Sequence, residues 1–177
     1  MPPVTAESPK GSSSMAMSYP FSTETYSAHM TEQIGAAFAA SLPEGLHFLA
    51  MYGDLGAGKT AFVRGMASVL TPDARVSSPT YALINEYRSD DCLFLHFDMY
   101  RITDDDDLCS TGFYDYLEGT LGERCRRVVI AAEWSENIGW ALPARRYDIH
   151  ILRLEGAPDA EGNEKRRIEI IRREDRA

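Results

Sequence analysis

Apolar residues along this chain fall into two rhythms. Runs such as LHFLAMY (46–52), RRVVIAAEW (126–134), YDIHILRL (147–154) and RRIEIIRR (166–173) are dense in branched and aromatic side chains and too short for helices. They predict strands, the denser of them buried on both faces. YPFSTETY (19–26) alternates like a half-buried strand, and Ser27 can then cap a helix with Met30, Ile34, Ala37 and Phe38 as its apolar face. KTAFVRGMASVL (59–70) carries Phe62, Val63, Met66 and Leu70 at helical spacing. A polar turn at Ser77 to Thr80 opens another strand, and the short link RSDD turns it into CLFLHFDMY (92–100). So short a link implies an antiparallel pair, hence a mixed sheet. In ITDDDDLCSTGFYDYL (102–117) the aspartates fit the first turn of a helix capped by Thr103 better than a metal cluster, because the helix dipole favours acids there. The expected fold is α/β, three layers with a central mixed β-sheet flanked by helices.

Residues 1–18 are rich in Pro, Ser and Gly without periodicity and are expected to form a disordered tail. One domain over 19–177 is expected to follow, with a flexible loop at 155–165 joining the last two strands. Formal net charge is −9, from 27 acidic and 18 basic residues, so the average surface repels phosphate backbones. Cys92, Cys109 and Cys125 show no C-x-x-C spacing and are read as buried or idle thiols of a reducing compartment. No run reaches the ~18 apolar residues of a membrane span and no signal pattern opens the chain, so a soluble cytoplasmic protein is expected.

Between the strand at 46–52 and the helix at 59–70 lies GDLGAGKT (53–60), which fits G-x-x-x-x-G-K-[ST]. Gly53, Gly56 and Gly58 free the backbone to curl its N–H groups around phosphate oxygens, and the helix start adds its positive dipole end. The loop from Gly53 through Asp54, Leu55, Gly56, Ala57, Gly58, Lys59 and Thr60 to Ala61 is therefore expected to bind a nucleoside triphosphate with magnesium, in a P-loop NTPase-like fold. Lys59 would reach the β and γ phosphates, and the Thr60 hydroxyl would be one ligand of Mg2+.

Mg2+ needs further oxygen ligands and hydrolysis needs a group to orient water. Asp98 ends LFLHF and Glu133 ends VVIAA, so each carboxylate belongs to the carboxyl end of a strand, where ligands bind in open α/β sheets. His96 shares a strand face with Asp98 and could orient it, or could be a satisfied core histidine. Trp134, directly after Glu133, is either a packing residue or a surface contact. His29, His47 and His150 show no ligand spacing.

GDLGAGKTAFVRG, SSPTYALINEY, HFDMYRI and AAEW, in this order and spacing, closely resemble the bacterial TsaE (YjeE) family over about Tyr19 to Leu154. The resemblance implies a small P-loop ATPase of tRNA N6-threonylcarbamoyladenosine biosynthesis. It would act on a complex of TsaB and TsaD that modifies adenosine 37 of tRNA, resetting that complex between turnovers and meeting tRNA only through it. It implies further that Lys59 holds phosphate, that Thr60 and Glu133 coordinate Mg2+, and that Asp98 acts near the γ phosphate. Thr80 and Tyr81 would belong to a switch-like loop, and Thr31 and Arg166 would touch the nucleotide. The family usually carries a second Thr where this chain has Ala61, which leaves the Thr60 ligand intact.

Two other readings stay open. The loop could present ATP to an acceptor hydroxyl in a small-molecule kinase, with GERCRR (122–127) as an arginine-bearing lid, or ATP could only fix the conformation of an interaction module. A GTPase is disfavoured because the chain has no N-K-x-D guanine signature. With no arginine clearly placed for the γ phosphate, hydrolysis is expected to be weak alone and stimulated by a partner.

Overall fold

The computed structural model describes residues 17–79, 82–118, 125–156 and 164–174. Along the chain these form β1 (Phe21–Thr25), α1 (Ala28–Ser41), β2 (Gly45–Tyr52), α2 (Lys59–Leu70), β3 (Ile84–Arg88), β4 (Cys92–Asp98), α3 (Asp105–Ser110), α4 (Phe113–Leu117), β5 (Arg127–Glu133), a 3-10 turn (Ser135–Ile138), β6 (Arg146–Arg153) and β7 (Arg166–Arg173). The strands make one sheet in the order β1-β7-β6-β2-β5-β4-β3. β6, β2, β5 and β4 run parallel, while β3 is antiparallel to β4 and β7 to β6 and β1. The expected mixed sheet, and the β3–β4 hairpin in particular, are both present.

Period-two alternation divides the core. Leu49 and Met51 of β2, Phe94 of β4 and Val129 and Ala131 of β5 face α1 and α2, where Phe38, Phe62, Val63, Met66 and Leu70 meet them. Phe48 and Ala50, with Leu93, Leu95, Phe97, Val128 and Ile130, face Leu108 of α3, Phe113 of α4 and Ile138 of the 3-10 turn. Strands covered on both sides read as unbroken apolar runs for this reason. Each fully buried Phe, Leu or Ile contributes about 2 kcal/mol through burial.

The buried face of α1 differs from the expected one. Thr31, Gly35, Phe38 and Ala39 are buried, while Ile34 is half-buried and Met30 and Ala37 are exposed. Two glycines cause the rotation. A Cβ on Gly35 would lie 2.2 Å from the Phe62 carbonyl oxygen, and one on Gly65 would lie 1.9 Å from that of Glu32. The helices touch backbone to backbone there, and a polarity count does not score glycine as a contact residue.

The aspartate-rich stretch is helical but is two helices, because Gly112 at φ 73° breaks it. The cap is Asp104, not Thr103: the Asp104 carboxylate accepts the Asp107 N–H at 2.9 Å. Thr103 instead donates its N–H and hydroxyl to the Asp107 carboxylate, which lowers the Asp107 pKa. Among the described residues no group of three or more His, Cys, Asp or Glu could hold a metal ion. Cys92 is buried, and burial pushes its thiol up to about 11, while Cys109 and Cys125 are also free. No described helix is long and apolar enough to cross a membrane.

Residues 1–16 of the expected tail lie outside the described residues, whereas Met17 packs against the core beside Tyr19. Of the loop at 155–165, residues 157–163 lie outside them. The Leu154 N–H donates to the Lys165 carbonyl at 2.9 Å where the hairpin closes.

Candidate nucleotide site

β2 is central, with β5 on one side and β6 on the other, and the chain leaves its carboxyl end into the glycine loop. Gly53, Gly56 and Gly58 have φ of 140°, 73° and 116°, conformations that side-chain-bearing residues rarely adopt. At Gly53 a Cβ would also lie 2.3 Å from the Ile151 carbonyl oxygen. The loop closes on itself through Ala57 N–H to Asp54 O at 3.1 Å, with Ala57 and Ala61 buried and Leu55 82% exposed at the tip. No side chain caps α2, so its opening N–H groups are left to a ligand.

Lys59 is buried, and its Nζ donates to Gly53 O at 2.5 Å and Asp54 O at 3.1 Å. The same Nζ lies 3.9 Å from the centroid of the Trp134 ring. Burial lowers the Lys59 pKa, and Glu133 first, then Glu136, Asp98 and Asp54, act to raise it again. The ammonium therefore rests on its own loop and on an indole face, both of which a polyanion can replace. Trp134 is in the left-handed region at φ 61° and packs against Tyr100 at 5.1 Å. It is both packing residue and site wall.

Thr60 donates its hydroxyl to Glu133 Oε1 at 2.9 Å. The same oxygen lies 2.8 Å from His96 Nε2, and since a carboxylate only accepts, the imidazole proton is on that nitrogen. His96 is fully buried, and its Nδ1 has no hydrogen-bond partner. His96 thus serves Glu133 on the neighbouring strand and not Asp98, the acid expected for it. Asp98 stands opposite Glu133 in the β4–β5 register, and its Oδ1 accepts the Tyr100 N–H at 3.0 Å. Thr60, Glu133 and Asp98 gather oxygens at the start of α2, an arrangement that fits a hard cation completing its shell from phosphate and water.

Thr31 is buried beside the loop: a Cβ on Gly58 would lie 3.7 Å from its methyl, and its hydroxyl is 3.0 Å from that of Thr25. Arg166 donates from Nε to Ala57 O at 2.8 Å, so it braces the loop from β7. Arg153, which sequence reasoning missed, brings its Nη2 within 2.5 Å of where a Gly56 Cβ would be, and Glu164 pairs with it at 3.2 Å. Thr80 and Tyr81 lie outside the described residues. Their flanks meet the site: Leu83 N–H donates to Pro79 O at 2.8 Å, and Leu83 O accepts the Asp98 N–H at 2.9 Å. Residues 122–124 of the supposed kinase lid also lie outside them. Arg126 and Arg127 stand where β5 begins, at the end opposite Glu133, with Arg126 near Glu44 and Asp91 at 3.6 Å each.

A strand, a glycine loop and a helix, with acids at the ends of two neighbouring strands, define a protein of the P-loop nucleotide-binding class. The profile of the family described as "Threonylcarbamoyl adenosine biosynthesis protein TsaE" matches residues 25–164, and the chain belongs to that family. Proteins named tRNA threonylcarbamoyladenosine biosynthesis protein TsaE are similar. The one from Haemophilus influenzae is 38% identical over 51% of this chain and 53% of its own length. The one from Aquifex aeolicus is 39% identical over 55% and 64%. The chain thus spans between half and two thirds of the length of these curated relatives. The crystal structure of Bacillus subtilis YdiB superposes with a TM-score of 0.63 at 25% identity, covering 88% of each chain.

Proposed function

We propose that this protein is a Mg2+-dependent ATPase of the tRNA threonylcarbamoyladenosine pathway that acts in the cytoplasm on a complex of TsaB and TsaD homologues. The observation that carries the chemistry is Thr60 donating to Glu133 beside a buried Lys59. A Thr hydroxyl that gives its proton to a carboxylate turns its lone pairs outward to a cation, and the lysine lies within a loop's width of the phosphates that cation would bridge. In this reading Gly53 to Ala61 cradle the phosphates and Thr60 and Glu133 hold Mg2+. Asp98 orients water at the γ phosphate, and Thr31, Thr80 and Arg166 border the nucleotide. The family's printed name supports the pathway, and the partners follow from the resemblance. The position of Arg126 and Arg127 weighs against a lid and so against a kinase.

Single-turnover hydrolysis of γ-labelled ATP, with and without the cognate TsaB–TsaD pair and unmodified tRNA, tests the proposal. Slow release of phosphate that the pair accelerates, with multiple-turnover modification requiring this protein, is the expected result. Equal rates with and without the pair would overturn it, label transferred to a small acceptor would favour the kinase, and stable ATP in every mixture would favour the non-hydrolysing module.

A further inference from the structure

Away from the glycine loop, at the other end of the strands, β2 and β6 begin and β7 ends around a cleft of about 180 Å³. Four arginines line it, Arg145, Arg146, Arg172 and Arg173, together with His47 and Tyr19. We propose that this cleft is a second anion site, taking a single phosphate or pyrophosphate. The proposal goes beyond the ATP reading and does not rest on it, since β2 alone separates the two sites by about 25 Å at the usual strand rise.

Charge is the first argument. In a chain with nine more acids than bases by formal charge, Arg172 of β7 and Arg145, just before β6, bring two guanidiniums to the side of the sheet that carries Tyr147 and His47. Among the described residues two carboxylates pair with the arginines of the lining. Asp148, almost fully buried, gives Oδ1 to Arg146 Nε and Oδ2 to Arg173 Nε, both at 2.7 Å, and Glu174 pairs with Arg172 at 3.0 Å. Asp148 ties Arg146 and Arg173 to the other face of β6 and β7, where Arg146 also bonds the Tyr52 hydroxyl. Arg146 spends Nη1 on Pro143 O at 3.0 Å. Arg145 and Arg172 are therefore the guanidiniums left to face the cleft, and two planar forks at one site suit the oxygens of a phosphate group.

The wall responds to the same field. His47 lies in the cleft with Nε2 2.9 Å from Pro43 O. Burial lowers its pKa foremost, the bond to Pro43 opposes this, and Arg127, Arg145 and Arg172 lower it further by repulsion. Three arginines therefore project positive potential onto one imidazole.

Size decides the class of anion. Nucleotide- and drug-sized ligands need pockets of about 300 Å³ or more, and this one falls short of that. A phosphate group could come free or on an RNA backbone. The net charge of −9 repels an extended polyanion, so the free anion is the ligand assigned.

Calorimetry of the full chain with pyrophosphate, at low salt and without Mg2+, tests this. The Lys59→Ala protein, whose P-loop lacks its cation, should still bind one pyrophosphate. Adding Arg145→Gln and Arg172→Gln, both at exposed positions, should weaken that binding on the order of tenfold or more at an unchanged melting temperature. With Lys59→Ala alone, backbone amide shifts on adding pyrophosphate should concentrate at His47 and Tyr147 and not at 53–61. No binding to Lys59→Ala at millimolar pyrophosphate, or identical affinity after the arginine substitutions, overturns the site. RNA bound through these arginines that pyrophosphate cannot displace overturns the small-anion assignment.

Discussion

At the scale of single residues, the site turns on Glu133 Oε1, which accepts from Thr60 and His96 together. Two donors on one oxygen hold the carboxylate in one orientation. His96→Leu removes one donor from a buried acceptor at similar volume. We expect the Mg2+ concentration needed for half-maximal nucleotide binding to rise about tenfold, while His96→Gln, which can offer an amide N–H, should recover most of it. If both variants behave alike and only melt earlier, His96 is merely core. Lys59 and Asp98 should separate by role. Lys59→Ala removes the cation facing a polyanion and should weaken ATP binding by roughly a hundredfold, whereas Asp98→Ala should bind ATP nearly normally and hydrolyse it slowly. Equilibrium titration beside single-turnover rates would expose an Asp98→Ala protein that cannot bind. The glycine loop itself was readable from spacing, because its residues lie in consecutive positions. Trp134 over Lys59, Arg153 beside Gly56 and the bond from Arg166 to Ala57 were not, since only the sheet order sets β5 and β6 against β2 and β7 beyond β6.

Elements were legible where burial on two faces writes itself as an apolar run, as in β2, β4 and β5, and where a phosphate loop announces the helix behind it. Legibility failed where the decisive residue has no side chain. Gly112 splits α3 from α4, and Gly35 and Gly65 set the α1–α2 contact that turned the expected apolar face. That contact bears on function, because α2 begins at Lys59 and Thr60 and α1 carries Thr31 beside the loop. Gly65→Ala would place a methyl carbon 1.9 Å from the Glu32 carbonyl oxygen, against backbone that cannot rotate away. Its helix propensity gain of about 1 kcal/mol should be outweighed, leaving a net loss of about 1–3 kcal/mol in urea unfolding. A stabilised Gly65→Ala protein would mean that the helices separate freely, and that Thr31 is not held at the loop by packing.

For the whole molecule, the two ends of the sheet carry different electrostatics, and pH should reveal one of them. His47 has its pKa lowered in the folded chain from the ordinary 6.5, so the unfolded chain binds the proton more readily. Its contribution to stability is complete above about pH 6.5 and is lost as pH falls through the lowered folded value. Denaturation midpoints should therefore fall between about pH 7 and about pH 5.5, above the range where carboxylates dominate, and His47→Gln should flatten that slope. An unchanged slope would remove His47 from the account. The molecule's net charge makes the other prediction at this scale. Nonspecific RNA affinity comes from cations that replace condensed counterions, and the charge of −9 leaves the arginine cleft as a local exception on a surface that repels the backbone around it. A cleft of about 180 Å³ can engage one phosphate, not a tract of them. The isolated protein should bind unmodified tRNA with a dissociation constant of about 100 µM or weaker at physiological salt, with a shallow salt dependence corresponding to about one or two neutralised phosphates. Binding measured by fluorescence anisotropy across a salt series would decide it. A slope near that of many contacts, or low-micromolar affinity without partners, would mean that this chain grips the tRNA itself, and the assignment of that task to the TsaB–TsaD pair would have to be given up.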